Sequence, residues 1–284
     1  MSEIADNIAT PSGKSAATEN FPVGSFLIRA DLRPHIHAFY RFARMGDDIA
    51  DNGALLPADK VARLDLMEAV LRDPARAEVE EAVRLRRSLA ATKVAPTNSC
   101  ELLIAFRMDA TKQRYADWDE LMTYCRYSAA PVGRQLLDLH GEPEAARGPS
   151  DALCAALQVI NHLQDCGVDY LEMDRIYVPQ DHLARFGSEI AHLTAKASTP
   201  GLRQCLDALL DKTDELMVEA RLLPGRLKDF RLRAESATIV RLADKMIAQL
   251  RRKDPLAGRV KPTKWFFLTA MIEGFLWAMV ARPK

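Results

Sequence analysis

The chain is poor in the residues that build sheets and tight glycine-rich loops. It holds 13 glycines in 284 residues, and alternating runs of β-branched residues are few. No glycine-rich loop follows a predicted strand, which argues against a dinucleotide-binding fold and a P-loop. Ala, Leu and Arg instead fill long stretches with a helical period, including residues 62–70, 79–89 and 202–223. The sequence therefore predicts an all-α protein.

Cysteine is also scarce, and its pattern argues against a disulfide framework or a zinc cluster. The five cysteines are odd in number, widely spaced and without a C-x-x-C pair. This pattern is typical of buried thiols in a reducing compartment, so we expect a cytoplasmic protein.

No signal peptide and no domain linker is evident. Residues 1–20 lack a basic start followed by an apolar core and are rich in Ser, Thr, Ala and Asn, so we expect a disordered tail. The breaks that contain Pro and Gly are all short. We therefore expect one ordered domain over residues 21–284, with Pro34 in the first turn of an early helix.

An excess of positive charge is confined to the end of the chain. The net charge is zero, yet residues 221–284 hold 15 Lys and Arg against 5 Asp and Glu. The apolar helix predicted over residues 264–281 has Glu273 near its middle and is short for a membrane span. Two interpretations are open: a buried core helix, or a peripheral helix on the inner face of an anionic membrane. No recognisable module supports a nucleic-acid partner.

Two pairs of aspartates are the clearest chemical signal. Asp47 and Asp51 lie four residues apart, as do Asp165 and Asp169, and residues four apart share one face of a helix. Two such helices facing each other supply hard oxygen ligands, which Mg²⁺ prefers when it also binds the oxygens of a phosphate. The pairs therefore predict a metal-assisted diphosphate site.

The spacing alone is not specific, because Asp207 and Asp211 repeat it. That pair continues into Glu215 and Glu219, and the row is typical of the solvent-exposed face of an amphipathic helix. The two functional pairs differ because apolar residues surround them on their helices, and a buried carboxylate needs a partner or a cation.

Polar neighbours on the same faces strengthen the prediction. Tyr40 and Arg44 precede the first pair at helical steps, and Asp48 lies within it. Asn161 precedes the second pair by one turn and adds a neutral carbonyl oxygen.

These residues resemble the head-to-head isoprenoid synthases, the squalene and phytoene synthase family. The resemblance runs from residue 21 to about residue 264 and depends on Tyr40-x-x-x-Arg44-x-x-Asp47-Asp48-x-x-Asp51, Asp109 with Arg114-Tyr115, Tyr124-Cys125-x-x-x-Ala129-x-x-Val132-Gly133, Asn161-x-x-x-Asp165-x-x-x-Asp169, and Arg175-Ile176-Tyr177-x-Pro179. It implies a single all-α domain with a central cavity, in which two aspartate-rich helices bind Mg²⁺ and a prenyl diphosphate. The implied metal ligands are Asp47, Asp48, Asp51, Asn161, Asp165 and Asp169.

The resemblance also implies roles for the surrounding side chains. Arg44 is expected to stabilise the diphosphate, and Tyr40 and Tyr124 match positions near the diphosphate and the reacting carbons. A core tyrosine with a satisfied hydroxyl is an equally open interpretation of Tyr124.

Other residues have two open interpretations each. Arg175 and Tyr177 either contact the phosphate or anchor the loop into Pro179, and Phe21 either lines the cavity or packs in the core. His162 lies beside the second pair in the sequence, and we expect it to point away from the site.

Two departures separate this chain from family members that condense two prenyl diphosphates. Those members carry Arg where this chain has Gln164, and Ala-Gly where residues 129–131 read Ala-Ala-Pro. The sequences at residues 161–166 and 20–23 resemble those of the family members that act in bacterial hopanoid biosynthesis. Those enzymes ionise presqualene diphosphate and capture the rearranged cation with water, so they need no nicotinamide cofactor. Gln164 is our candidate for holding the water.

Two other functions stay open. One is a condensing relative that makes presqualene diphosphate, squalene or a carotenoid precursor from prenyl diphosphates. The other is a catalytically silent, lipid-binding helical scaffold with solvated aspartates. The products formed from presqualene or farnesyl diphosphate with Mg²⁺ distinguish the three.

Overall fold

The computed structural model describes residues 28–281, and helices dominate this part of the chain. The α-helices of these residues are α1 (Arg33–Asp51), α2 (Pro57–Arg72), α3 (Glu80–Thr92), α4 (Thr97–Thr111), α5 (Trp118–Ser128), α6 (Ala130–His140), α7 (Arg147–Met173), α8 (Gln180–Arg185), α9 (Pro200–Ala220), α10 (Phe230–Arg252) and α11 (Lys264–Val280). Short 3₁₀ turns lie at Glu144–Ala146, Ile190–Thr194 and Leu223–Arg226. Over residues 28–281 the only extended pairing is one parallel bridge, between Arg114 and Ile176. The all-α prediction is confirmed.

Local sequence determines where the helices begin and end. Pro34 lies in the first turn of α1, as predicted, because its missing N–H and fixed φ suit that position. The side-chain oxygens of Asp117, Asp229 and Thr263 accept backbone N–H groups at the starts of α5, α10 and α11. Helix α7 ends at Asp174, whose left-handed backbone (φ 53°) turns the chain just after the second aspartate pair.

The described chain forms two compact units. The first consists of the residues up to Lys112 together with Pro131–Glu142. In this unit α1 packs against α3 and α4, and α2 packs against the same two helices. Fully buried side chains such as Phe42, Ile49 and Leu64 fill its core. The first aspartate pair therefore lies on a helix whose other sides are buried, as predicted.

The second unit consists of Gln113–Ala130 and the residues from Pro143 onward. Here α7 packs against α5, α9 and α10, and α10 also packs against α9 and α11. Helix α7 is 27 residues long and carries the second aspartate pair near its C-terminal end. Buried small and branched residues such as Ala156 and Ile160 join α7 to the core of this unit.

The chain passes between the units at residues 112, 130 and 142, so neither unit is one continuous stretch. This interleaving explains why the sequence shows no linker. A single functional domain over residues 21–284 stays a prediction. The predicted tail over residues 1–20 and the candidate Phe21 lie outside the described residues.

Candidate active site

The first aspartate pair shares its helix with Arg44, which contacts two of the acids. Nη1 of Arg44 lies 2.8 Å from Oδ2 of Asp47, and Nη2 lies 2.6 Å from Oδ1 of Asp48. The Arg44 and Asp48 side chains are only 15% and 11% exposed, whereas Asp47 is 36% exposed. Tyr40 and Asp51 are half-buried on the same helix. Asp48, predicted as a supporting ligand, is thus the most buried acid of this motif.

The second pair, Asp165 and Asp169, is half-buried on α7. Burial raises the pKa of Asp165, and the neighbouring charge of Asp169 raises it further. Asn161 lies one turn earlier and is also half-buried. Two carboxylates that oppose each other's ionisation are stabilised by a nearby cation.

His162 belongs to the same face of α7, and our expectation that it points away was wrong. Its Nδ1 lies 4.0 Å from Oδ2 of Asp169, and its Nε2 lies 3.1 Å from the side-chain amide of Gln158. Seven residues along an α-helix return to within about 20° of the same direction, so a residue two turns before Asp169 shares its face. The expectation considered only the immediate neighbours of His162.

His162 and three buried tyrosines form an aromatic cluster, in which Tyr124 and Tyr177 contact His162. The His162 ring stacks on Tyr177 with ring centroids 3.5 Å apart, and Tyr124 lies 5.8 Å from His162 and 5.3 Å from Tyr177. Tyr115 lies 5.3 Å from Tyr124. The tyrosines are at most 7% exposed. Tyr124 is therefore a core residue that lies beside His162, the neighbour of Asp169.

The loop after α7 is held by its own contacts. Nη2 of Arg114 lies 2.5 Å from Oδ1 of Asp174 at the end of the helix. Arg175 is buried, and Tyr177 belongs to the aromatic cluster. These contacts support the anchoring interpretation of Arg175 and Tyr177, and their contact with phosphate stays a prediction.

Gln164 connects the second motif to a distant segment of the chain. Its side chain is buried, and its amide nitrogen donates a hydrogen bond to the backbone oxygen of Val260. Val260 lies between Arg259 and Lys261, and the charges of both lower the pKa of Asp165 against the larger effect of burial. The segment therefore brings two cations toward the second pair. The sequence analysis missed this, because the two residues lie 96 positions apart.

The third pair with this spacing, Asp207 and Asp211 on α9, lies at the protein surface, as we predicted. Arg203 pairs with Asp207 at 2.6 Å, and Arg251 pairs with Asp211 at 2.7 Å. The Asp207 and Asp211 side chains are 41% and 68% exposed.

The acids of α1 and the acids of α7 each supply hard oxygen donors of the kind that Mg²⁺ prefers. This ion takes few carboxylates from the protein and completes its shell with water and phosphate oxygens. Over residues 28–281, no three His, Cys, Asp or Glu side chains are gathered closely enough to hold a metal ion by themselves. Metal binding by these acids stays a prediction.

Two buried cysteines of the second unit have the character of inert thiols. Burial raises the pKa of Cys166, between the two acids of α7, to about 12, and that of Cys205 to about 12. Such thiols are not nucleophiles at neutral pH.

Comparison with known proteins identifies the family. The squalene/phytoene synthase family model matches residues 15–266. A hydroxysqualene synthase of Sinorhizobium fredii is 49% identical over 242 residues, which are 85% of this chain and 82% of that protein. A hydroxysqualene synthase of Rhodopseudomonas palustris is 48% identical over 250 residues, covering 88% and 85%.

Solved structures agree with this assignment. The crystal structure of squalene synthase HpnC from Alicyclobacillus acidocaldarius has a TM-score of 0.74 and 34% identity, covering 88% of this chain and 92% of that one. A dehydrosqualene synthase structure reaches a TM-score of 0.79 at 22% identity, over 98% and 94% of the two chains, and shows the fold alone. This chain is therefore an enzyme that belongs to the squalene/phytoene synthase family.

Proposed function

We propose that this enzyme converts presqualene diphosphate and water into hydroxysqualene and diphosphate, with Mg²⁺, in bacterial hopanoid biosynthesis. The observation that carries the proposal is the 48–49% identity to two proteins named hydroxysqualene synthase. The acids of α1 and α7 and the aromatic cluster support it, because they suit a diphosphate and a carbocation.

The diphosphate leaves with the electron pair of the broken C–O bond, so the site must stabilise growing negative charge. Bound Mg²⁺ supplies positive charge for this purpose, and its proposed ligands are Asp47, Asp48, Asp51, Asn161, Asp165 and Asp169. Arg44 adds a guanidinium that Asp47 and Asp48 hold in place at 2.8 and 2.6 Å. Tyr40, one turn before Arg44, is proposed to lie near the diphosphate.

The remaining cation needs surroundings that stabilise it and exclude bulk water. Tyr124 is proposed to serve this role, because aromatic faces attract cations in a desolvated site. The cyclopropylcarbinyl cation rearranges, one water oxygen bonds to carbon, and a proton is released. These steps exchange diphosphate for hydroxyl without any hydride, so we expect no nicotinamide requirement.

The remaining assignments are part of the same proposal. Arg175 and Tyr177 are proposed to assist substrate binding, and Phe21 to line the cavity. Gln164 is proposed to influence the step in which water attacks. The buried thiols of Cys166 and Cys205 agree with a cytoplasmic, reducing location.

The test is a product analysis with the full chain. We expect presqualene diphosphate and Mg²⁺ to give hydroxysqualene and inorganic diphosphate, and ¹⁸O from labelled water to appear in the hydroxyl group. NADPH should change neither rate nor product. Direct formation of squalene with NADPH would refute the proposal.

A condensing or reducing activity is the second candidate, because the solved relative from Alicyclobacillus acidocaldarius is described as a squalene synthase. It predicts that farnesyl diphosphate alone is consumed. A lipid-binding scaffold predicts no release of diphosphate from either substrate.

A further inference from the structure

Helix α11 has two apolar faces, and only one of them is packed against the protein. Ala270, Gly274 and Ala278 are buried at steps of four residues. A Cβ added to Gly274 would lie 2.5 Å from the backbone nitrogen of Thr238 on α10. The small residues therefore allow the two helix backbones to approach closely, and the larger side chains of α11 remain for its other face.

The opposite face of α11 exposes large hydrophobic side chains. We define the outer face as the seven residues Trp265, Leu268, Ile272, Phe275, Leu276, Met279 and Val280, which are between 46% and 74% exposed. At about 100° per residue they occupy an arc of about 140° along the whole helix. Phe230 of α10 extends this surface, since its ring meets that of Phe275 edge-on at 5.7 Å.

The acid of α11 is paired with a lysine of α10, and positive charge is concentrated beside the start of α11. Glu273 pairs with Lys245 at 2.8 Å. We define the basic segment as residues 252–264, in which Arg252, Lys253, Arg259, Lys261 and Lys264 are exposed. Its one acid, Asp254, accepts hydrogen bonds from Ser198. The segment therefore presents a net positive charge where α11 begins, although Arg259 and Lys261 also act on Asp165.

We propose that the outer face and the basic segment dock together onto an anionic phospholipid surface. The apolar side chains would enter the boundary between head groups and acyl chains, while the cations attract the head groups. Trp265 lies at the end of α11 that follows the basic segment, and tryptophan prefers this interface. No helix over residues 28–281 is long and apolar enough to cross a membrane. The contact is therefore peripheral, and it does not depend on which reaction the enzyme catalyses.

The test measures binding of the full chain to vesicles that contain phosphatidylglycerol, with phosphatidylcholine vesicles as the neutral reference. We expect binding to the anionic vesicles, much weaker binding to the neutral ones, and loss of most binding in 1 M salt, where screening shortens to about 3 Å. The fluorescence of Trp265 should shift to the blue on binding, and Trp265→Phe should remove that shift.

A matched pair of variants locates the surface. Ile272→Gln with Leu276→Gln, both 54% exposed, should weaken vesicle binding about tenfold or more, because two inserted side chains are made polar. Leu56→Gln with Val218→Gln, at 69% and 67% exposed elsewhere, should bind like the parent. Circular dichroism should show that both double variants are folded.

Any of three results would overturn the proposal. The parent protein could bind no vesicles, or the outer-face variant could retain vesicle binding in full. In the third, neither protein binds vesicles, and sedimentation shows a dimeric parent and a monomeric outer-face variant, because a second copy of the chain would then cover the face.

Discussion

Replacing Asp47 and Asp207 by Asn tests the proposed metal site with an internal control. Asp47 pairs with Arg44 at 2.8 Å and is 36% exposed, and Asp207 pairs with Arg203 at 2.6 Å and is 41% exposed. Ion pairs this exposed contribute about 1 kcal/mol or less to stability. Each variant should therefore unfold within about 4 °C of the parent, since 1 kcal/mol shifts Tm by about 2–4 °C in a protein of this size.

Activity should separate the two variants. Asp47→Asn should lower kcat/KM about 10²- to 10³-fold, the range seen when one group that stabilises transition-state charge is removed. It should also raise the Mg²⁺ concentration needed for half-maximal rate. Asp207→Asn should keep the parental rate within about twofold, because its ion pair lies on a solvent-exposed helix face. Release of inorganic diphosphate from presqualene diphosphate at several Mg²⁺ concentrations measures both quantities.

Asp165→Asn extends the test to α7. Burial and the charge of Asp169 raise the pKa of Asp165, so removal of this charge should leave the free energy of unfolding unchanged or slightly higher. Its activity should fall as far as that of Asp47→Asn. An equal loss of kcat/KM in Asp207→Asn and Asp47→Asn would refute the distinction between functional and surface pairs.

Three further changes test particular contacts. Gln164→Leu should leave the buried backbone oxygen of Val260 without its hydrogen bond, which should lower the free energy of unfolding by about 1–3 kcal/mol. It should also lower the yield of alcohol relative to elimination products. Parental stability together with parental product purity would contradict both the structural and the water-directing role of Gln164. Asp254→Ala should destabilise the protein at neutral pH. Burial alone would raise the pKa of Asp254, but hydrogen bonds from Ser198 hold it below its usual 3.8. The stability difference should therefore shrink as pH falls from 3.8 through this lower folded-state pKa, which thermal unfolding at several pH values measures. Gly46→Ala should lower the free energy of unfolding by about 1–3 kcal/mol, because the added Cβ would lie 2.5 Å from the Phe106 ring. If that overlap is the cause, adding Phe106→Leu to the Gly46→Ala variant should restore stability.

Local pattern was sufficient to predict the helices that carry the acids. Pro34 marks the start of α1, and the apolar residues around both pairs follow the helical period, so their burial was predictable. The acids of α9 could be distinguished from these two pairs because they follow the solvent-exposed face of an amphipathic helix. The sequence pattern could not show which acid of the first motif is the most buried. In the structure that acid is Asp48.

Contacts between distant residues lay beyond local pattern. The hydrogen bond from Gln164 to Val260 joins positions that no sequence period relates. The rings of Tyr124, His162 and Tyr177 likewise come from three separate stretches of the second unit. The departure at Gln164 was visible in the sequence, but its physical consequence was not. In the structure this side chain donates a hydrogen bond to the segment that carries Arg259 and Lys261.

Helix α11 shows why hydrophobic periodicity left two interpretations open for residues 264–281. Both faces of this helix are apolar, so polarity does not alternate with the helical period and cannot indicate which side is packed. Side-chain size does alternate: Ala270, Gly274 and Ala278 lie on the packed side, while Ile272 and Leu276 lie on the exposed side. Close approach of two helix backbones requires small residues at the contact, whereas a face that enters a lipid surface benefits from large ones. In an apolar helix with few charges, size at steps of four residues therefore indicates orientation. The packed side of α11 agrees with the core-helix interpretation, and contact of the other side with a membrane stays a proposal.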